Sequence, residues 1–542
     1  MVVMVSPEAE GAGRLRVLDP VTSEKISDHT TADLASWIGR YEAEHQPRWV
    51  FPAAEALYPQ LLEAGVRVAR CHDLTLTEGI LLASAGQHGS PRNPAAAWAR
   101  LHGRAEPPDK PPPARNAQPA LFETDQETLS LDLLVEVYRS QLGRGEGQRL
   151  LIAAESAGGL AAAEMTDHGL PWNEGVHREL LTEMLGPKPA PGARPDKLAA
   201  LAARIVDAFG GHPVNPDSPA SVVRAFAREG IDIASTRAWL LREVDHPAVE
   251  PLLEYKELAR MWTAHGWTWL DSWVHNGRFR PDYVVGGVVS GRWATRGGAA
   301  LQLPKALRKA VRSLPGWSLV VADAAQLEPR VLAALSGDQR LAEVSADVDL
   351  YASLAADSFD GDRGRAKIAM LSAMYGGTSG GAGPLLAVLR KRFPQAVGHV
   401  EQAARDGEQG FMVRSRLGRT SPRPGAQRMA LMERTDEESL QKSRQAAREW
   451  GRFTRNFVVQ ASAADWALVL LVTLRRRLAG TAAEIVFYQH DEVLVHCPAG
   501  DAPDVSAELA AAAAEATGLV FPGTEVKFPL ESSIVDCYGD AK

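Results

Sequence analysis

Residues 320–335 read VVADAAQLEPRVLAAL. An apolar, strand-like run ends on one carboxylate, Asp323, and Gln326 and Glu328 follow before a helix-like stretch. A carboxylate at the end of a buried strand needs a partner, because an ionised group in apolar surroundings is costly. The N-cap of the following helix is one such use, and a bound cation is another.

A second stretch bears on that choice. Residues 484–497, EIVFYQHDEVLVHC, read as two apolar strands meeting at Gln489, His490, Asp491 and Glu492. Asp and Gln are ordinary turn residues, so a plain surface turn fits this stretch taken alone. Taken with the first, the pattern is more specific. Both aspartates sit at ends of apolar strands that one sheet could bring side by side. Two carboxylates held close repel unless cations lie between them. Oxygen ligands with a substrate phosphate suit Mg²⁺, and two such ions about 3.5–4 Å apart serve phosphoryl transfer.

Between the aspartates lies DRGRAKIAMLSAMYGGTSGG, residues 362–381. Arg363, Lys367, Leu371 and Tyr375 recur every four residues and form one stripe on a helix. Arg363 and Lys367 are like charges one turn apart, an arrangement that a bound polyanion would relieve, although two solvated side chains fit the spacing equally. Gly376 and Gly377 sit where a helix C-terminus favours glycine. In GRFTRNFVVQASAADWALVLL, residues 451–471, Arg452, Asn456 and Gln460 form a polar stripe opposite Phe457, Val458 and Leu468. Such donors suit minor-groove acceptors, and an exposed polar face is the plainer reading.

Composition sets the frame. A chain of 542 residues favours several subdomains, and 45% apolar with 23% charged residues is ordinary for a soluble globular protein. Cys71, Cys497 and Cys537 form no CxxC pair, which fits a reducing cytoplasm. The opening MVVMVSPEAEGAG does not read as a signal peptide, and no apolar run is expected to reach membrane-spanning length. A net charge of −8 argues against indiscriminate nucleic-acid binding. Yet residues 411–430 hold Arg414, Arg416, Arg419, Arg423 and Arg428 and no acid, which makes either a phosphate-binding surface or a solvated loop.

Along the chain, residues 1–100 mix short apolar runs (LRVLD, RWVF, GVRVAR) with helical ones and predict a small α/β domain. Residues 103–120, GRAEPPDKPPPARNAQPA, read as a linker. Helices are expected over most of 125–280, and strands return at YVVGGVVSGRW (283–293), WSLVVAD and the EIVFYQHDEVLVHC pair.

Five ordered segments resemble family A DNA polymerases, the bacterial DNA polymerase I type: SGRWATRGGAALQLP (290–304), DAAQLEPR (323–330), RGRAKIAMLSAMYGG (363–377), RFTRNFVVQASAAD (452–465) and QHDEV (489–493). Weaker similarity runs through LLEYKELARMW and PVNPDSPASV, so the resemblance covers roughly 150–542. It implies an α+β right-hand fold: a palm built on an antiparallel sheet, with helical fingers and thumb, preceded by a small exonuclease-like α/β domain. The expected divisions are 1–125 exonuclease-like, 126–283 thumb and helical connection, 284–338 first part of the palm, 339–450 fingers and 451–542 second part of the palm.

By the same resemblance Asp323 and Asp491 would hold two Mg²⁺ ions, with Mn²⁺ as a substitute, and Glu492 and Lys367 would complete the catalytic set. Gln326, Glu328, Arg363, Lys367, Leu371 and Tyr375 would line the nucleotide site, Glu328 blocking a ribose 2′-hydroxyl. Arg292, Arg452, Asn456, Gln460 and His490 would hold primer–template. The implied protein is a monomeric, cytoplasmic, nucleoid-associated DNA-directed DNA polymerase using deoxynucleoside triphosphates, with no membrane partner. A catalytically silent DNA-binding relative is the alternative. Two positions depart from the pattern: Leu371 replaces an aromatic residue, and Tyr351 in DVDLYASLAADSF replaces a histidine. Only DGD separates that segment from the Arg363 helix, so the fingers look trimmed. No Asp-x-Glu ends an early strand. Glu55 stands alone, Asp73 matches a second exonuclease segment, and no Tyr-x-x-x-Asp precedes the linker, so a domain of that shape without proofreading is expected, with no 5′-nuclease domain.

Overall fold

The computed structural model describes residues 1–110, 129–377, 382–433 and 439–541. The expected linker at 103–120 falls outside them from residue 111 onward. The chain forms two compact units, one of residues 1–167, 283–294 and 320–533, the other of 168–282, 295–319 and 534–542.

The first unit opens with a five-stranded sheet: β1 (Val2–Pro7), β2 (Gly13–Leu18), β3 (Lys25–Thr31), β4 (Arg48–Phe51) and β5 (Cys71–Asp73), in the order β3-β2-β1-β4-β5. β1 runs antiparallel to β2 and parallel to β4, and β5 runs parallel to β4. Successive β1 residues point to opposite faces, as a pleat requires. Val3 and Val5 join Trp49, Phe51, Leu160 and Ala163 on one side. Val2 and Met4 join Val50, Leu134, Val137 and Tyr138 on the other. A strand covered on both faces shows no polar alternation, which is why MVVMVS does not announce itself in the sequence.

Three expectations shift here. GVRVAR (65–70) is no strand: Gly65 turns the chain at φ +75°, Val68 N–H donates to the Tyr58 hydroxyl and Ala69 N–H to Glu42, so side chains take the bonds a ladder would use. The pairing strand is β5, just beyond. The division at 125/126 does not follow the packing either, since helix Leu131–Arg144 lays Leu134, Val137 and Tyr138 on the first sheet. In YVVGGVVSGRW only Tyr283–Val284 is strand, paired with Ala294–Thr295; Gly286 and Gly291, both at positive φ, fold the rest into turns.

A second sheet carries both aspartates. Its order is Glu484–Gln489, Glu492–Pro498, Trp317–Ala324, Leu530–Val535. The first two strands form the expected antiparallel hairpin, with Gln489 opposite Glu492 and His490–Asp491 at the turn. Helix Leu440–Arg477 has 38 residues, about 57 Å at 1.5 Å per residue. It corrects the reading that no run reaches spanning length. An 18-residue window has mean hydropathy 1.8, but 89% of that window is buried inside the protein, so it is a core helix. Near its end the Arg475 guanidinium donates to the carbonyls of Val68 (2.7 Å) and Ala69 (2.9 Å) and to Glu164 (2.7 and 2.8 Å).

The second unit is mainly helical, including Glu174–Leu185, Asp196–Ala208, Pro219–Arg228 and Val249–His265. Leu198, Leu201 and Ile205 give Asp196–Ala208 its buried stripe. Trp172, Trp269 and Phe279 pack ring against ring at 4.9–5.8 Å between centroids.

Candidate active site

The Ala324 N–H donates to the Asp491 carbonyl (3.1 Å), so the end of the strand that carries Asp323 lies against the hairpin turn. Both aspartates line one cavity of about 450 Å³ together with Gln326, Asp349, Arg363 and Glu531. Asp323 is not an N-cap. Helix Leu327–Ser336 starts one residue after Gln326, which sits left-handed at φ +50° with no side-chain cap. Gln326 instead accepts from the Leu350 N–H through Oε1 (2.8 Å) and ties the two segments together.

Burial, and then the negative charge of Asp323, push the Asp491 carboxyl up to about 7. Glu492 adds to that push and Arg292 opposes it. Glu492 opens the return strand opposite Gln489 and lines neither of the cavities described here. Two mutually repelling carboxylates are the oxygen-only donor set that a hard divalent cation relieves. Among the described residues no group of three or more His, Cys, Asp or Glu gathers to hold a metal, so water or substrate oxygens would supply the remaining ligands.

Asp362 caps the Arg363–Tyr375 helix by accepting from the Arg365 N–H (3.0 Å), and Gly376 closes it at φ +71°. Its buried face is Ala366, Ala369, Met370, Ala373 and Met374, which turns the predicted stripe outward. Arg363 Nε donates to Asp349 Oδ2 (2.8 Å), and its guanidinium lies over the Tyr351 ring at 5.8 Å. Lys367 is exposed and Leu371 half-buried. The Tyr375 hydroxyl donates to one oxygen of Glu328, and Arg292 Nη2 donates to the other (2.6 Å). Glu328 is thereby fixed on the wall of a second cavity of about 190 Å³, which Arg292, Tyr351, Leu371, His490 and Asp491 also line.

Arg452, Asn456 and Gln460 share one face of the long helix. Arg452 is exposed and packs on Gly376, where a Cβ would come within 2.9 Å of Arg452 Cγ. Asn456 Oδ1 is buried with no hydrogen-bond partner among the described residues, and Gln460 is half-buried. His490 sits at φ +59°; burial and Arg292 hold its pKa below the usual imidazole value.

The arginine-rich run is not the uniform positive surface that its composition suggested. Arg419 is buried between Glu155 (2.8 Å) and Asp465 (3.4 Å), and Gly291 passes so close that a Cβ there would meet Arg419 Nε at 2.2 Å. Arg428 pairs with Glu449, and Arg416 donates to the Val520 carbonyl; Arg414 and Arg423 remain exposed. In the first sheet, buried Asp73 accepts from the Ala54 N–H (2.6 Å) and the Leu76 N–H (2.7 Å) and caps a helix. Glu55 is exposed.

Sequence reasoning passed over several residues. Arg330, fully buried, donates to the carbonyls of Ala325, Ser345, Asp347, Val348 and Lys527; burial lowers its pKa to about 10. A lone arginine inside the apolar run PRVLAAL was its signal. Arg455 lies one position before Asn456, off the chosen stripe, and donates to the Ala373 carbonyl (2.5 Å). Asp349 and Glu531 reach the cavity only through topology.

Comparison with known proteins follows the same lines. A model of DNA polymerase family A matches residues 194–535, well over half of the chain. The thermostable DNA polymerase I of Thermus caldophilus is 28% identical over 313 residues, covering 52% of this chain and 35% of that protein. DNA polymerase I of Chloroflexus aurantiacus is 26% identical over 352 residues, covering 56% of this chain and 35% of that one. The chain thus matches about a third of the length of these relatives. The solved structure "POL domain of Pol1 from M. smegmatis complex with DNA primer-template and dNTP" aligns with a TM-score of 0.74 and 18% identity, over 99% of this chain and 95% of that one. That likeness shows a right-hand polymerase fold. The chain belongs to DNA polymerase family A.

Proposed function

We propose that the chain is a template-directed DNA polymerase that adds deoxynucleotides to a primer 3′ end. The observation that carries this reading is the cavity shared by Asp323, Asp491 and Arg363. Mg²⁺ ions held by the two aspartates would supply Lewis-acid activation of the primer 3′-hydroxyl and charge neutralisation on the triphosphate. Arg363 and Lys367 face that charge from the helix. Asp349 keeps Arg363 extended toward the cavity until a triphosphate competes for it. Tyr375 and Arg292 hold Glu328 rigid, so a ribose 2′-hydroxyl meets a wall that cannot rotate away. Arg452, Asn456, Gln460 and His490 supply donors for primer–template.

In this reading the second sheet belongs to the palm, the helices of 339–450 are fingers, 126–283 holds the thumb and helical connection, and the first sheet is an exonuclease-like domain without proofreading. The backbone bonds to Asp73 support a structural role for that acid. The working form is a cytoplasmic monomer. The absence of an aromatic side chain at Leu371 is the observation that favours the second reading, a silent DNA-binding relative. Primer extension with four deoxynucleotides and Mg²⁺ decides: the wild type extends and Asp491→Ala does not. Tight primer–template binding without nucleotide addition in Mg²⁺ or Mn²⁺ would favour the silent relative.

A further inference from the structure

Tyr351 lines the smaller cavity beneath Arg363, which lines the larger one, and the elements around it fix it there. Gln326 accepts from the Leu350 N–H (2.8 Å), which anchors the start of helix Leu350–Ser358 to the turn after Asp323. Asp349 caps the same helix by accepting from the Ala352 N–H (3.1 Å) and holds Arg363 at 2.8 Å. The Arg363 guanidinium then covers the Tyr351 ring. The residue is 7% exposed, and its ring is the only phenyl-type ring among the described residues lining the cavity of about 190 Å³. Its hydroxyl makes no hydrogen bond among the described residues and is not one of their buried unpaired atoms, so it opens to solvent. A hydroxyl held beside a cavity with no protein partner is free to bond a ligand's polar atom.

We infer that Tyr351 is a sugar-recognition residue, its hydroxyl donating to the 3′ oxygen of the incoming deoxynucleoside triphosphate and its ring supplying the flat surface that Leu371 does not. The inference rests on the polymerase reading. Glu328, on the same cavity, guards the 2′ edge of the sugar, and Arg363, on the adjoining cavity, faces the phosphates. A side chain lying between them faces the sugar edge between C2′ and the 5′ phosphate, which carries the 3′ oxygen. A site built to hydrogen-bond a substrate hydroxyl disfavours the analogue that lacks it.

The test is single-nucleotide addition by the purified full chain on a primer–template, with wild type, Tyr351→Phe and Asp491→Ala. Tyr351→Phe keeps the ring and the packing. It should raise KM for the deoxynucleotide about fivefold with kcat within about twofold and an unchanged Kd for primer–template. With a 2′,3′-dideoxynucleoside triphosphate, wild type and Tyr351→Phe should have equal KM. If Tyr351→Phe penalises both substrates alike, or neither, the sugar assignment is overturned while the polymerase reading stands. If the wild type adds no nucleotide, or Asp491→Ala matches it, both fall together. Thermal melting of Tyr351→Phe within a few degrees of wild type shows that folding is not what changed.

Discussion

At the end of β5, Asp73 accepts two backbone N–H groups, and nearby Glu78 is clasped by Arg100 (2.9 Å) and Arg144 (2.6 Å). At the hairpin turn of the second sheet, Asp491 makes no ion pair among the described residues and looks onto Asp323. Burial raises both acids, Asp73 to about 6 and Asp491 to about 7, but only Asp491 is raised further by a facing carboxylate. Where the chain supplies its own donors, an acid is architecture. Where it assembles two acids around open space, the missing positive charge arrives with the ligand.

The sharpest way to break that contrast is at Asp491. Asp491→Ala should lower primer extension more than about 10³-fold while primer–template affinity stays within a few fold, as a gel extension assay beside a binding titration would read. Chelating divalent ions should do the same to wild type. Next in size is Arg419, the counter-example of acids satisfied from within: Arg419→Ala leaves Glu155 and Asp465 buried without their cation. Denaturant unfolding should show a loss of about 3–5 kcal/mol. Asp73→Ala should cost less, about 2 kcal/mol for the lost cap and the exposed N–H groups, with extension per folded molecule unaltered. An extension defect at a permissive temperature would erase the distinction between the two sheets.

The smallest effect is one of pH. His72, buried beside Asp73 and hydrogen-bonded to Gln141 (2.9 Å), has its pKa lowered by burial from 6.5 to about 4. Between those values the unfolded chain binds a proton that the folded chain refuses. Its contribution is therefore whole above about pH 6.5 and lost as pH falls toward 4. His72→Gln should flatten that slope by one group's share, read as the urea midpoint against pH; His177 and His265, also near 4, and His88, His399 and His490, also lowered by burial, keep contributing to it.

Much of the site was legible because its elements obey a period. The hairpin around Asp491 has apolar flanks and a polar tip, the Arg363 helix repeats every four residues, and Asp323 ends a plain apolar run. What was hidden lacks a local signature. β1 is apolar on both faces and so shows no alternation. Asp349 and Glu531 enter the cavity because two chain segments meet there, a fact no window of sequence contains. Arg419 sits in a run that looks solvated, and only the buried Glu155 and Asp465, distant in sequence, draw it inward. Tyr351 was visible as a substitution, but its open hydroxyl was not.

The long helix has one more consequence. Arg452 packs on Gly376 near one end, and Arg475 is locked to Val68, Ala69 and Glu164 near the other, with about 35 Å of helix between them. Each residue turns a helix by about 100°. Inserting or deleting a single residue in that span would swing one anchored side chain away from its partner. The spacing is therefore fixed to the residue: this stretch tolerates exchange of solvent-facing letters far better than any change in their number.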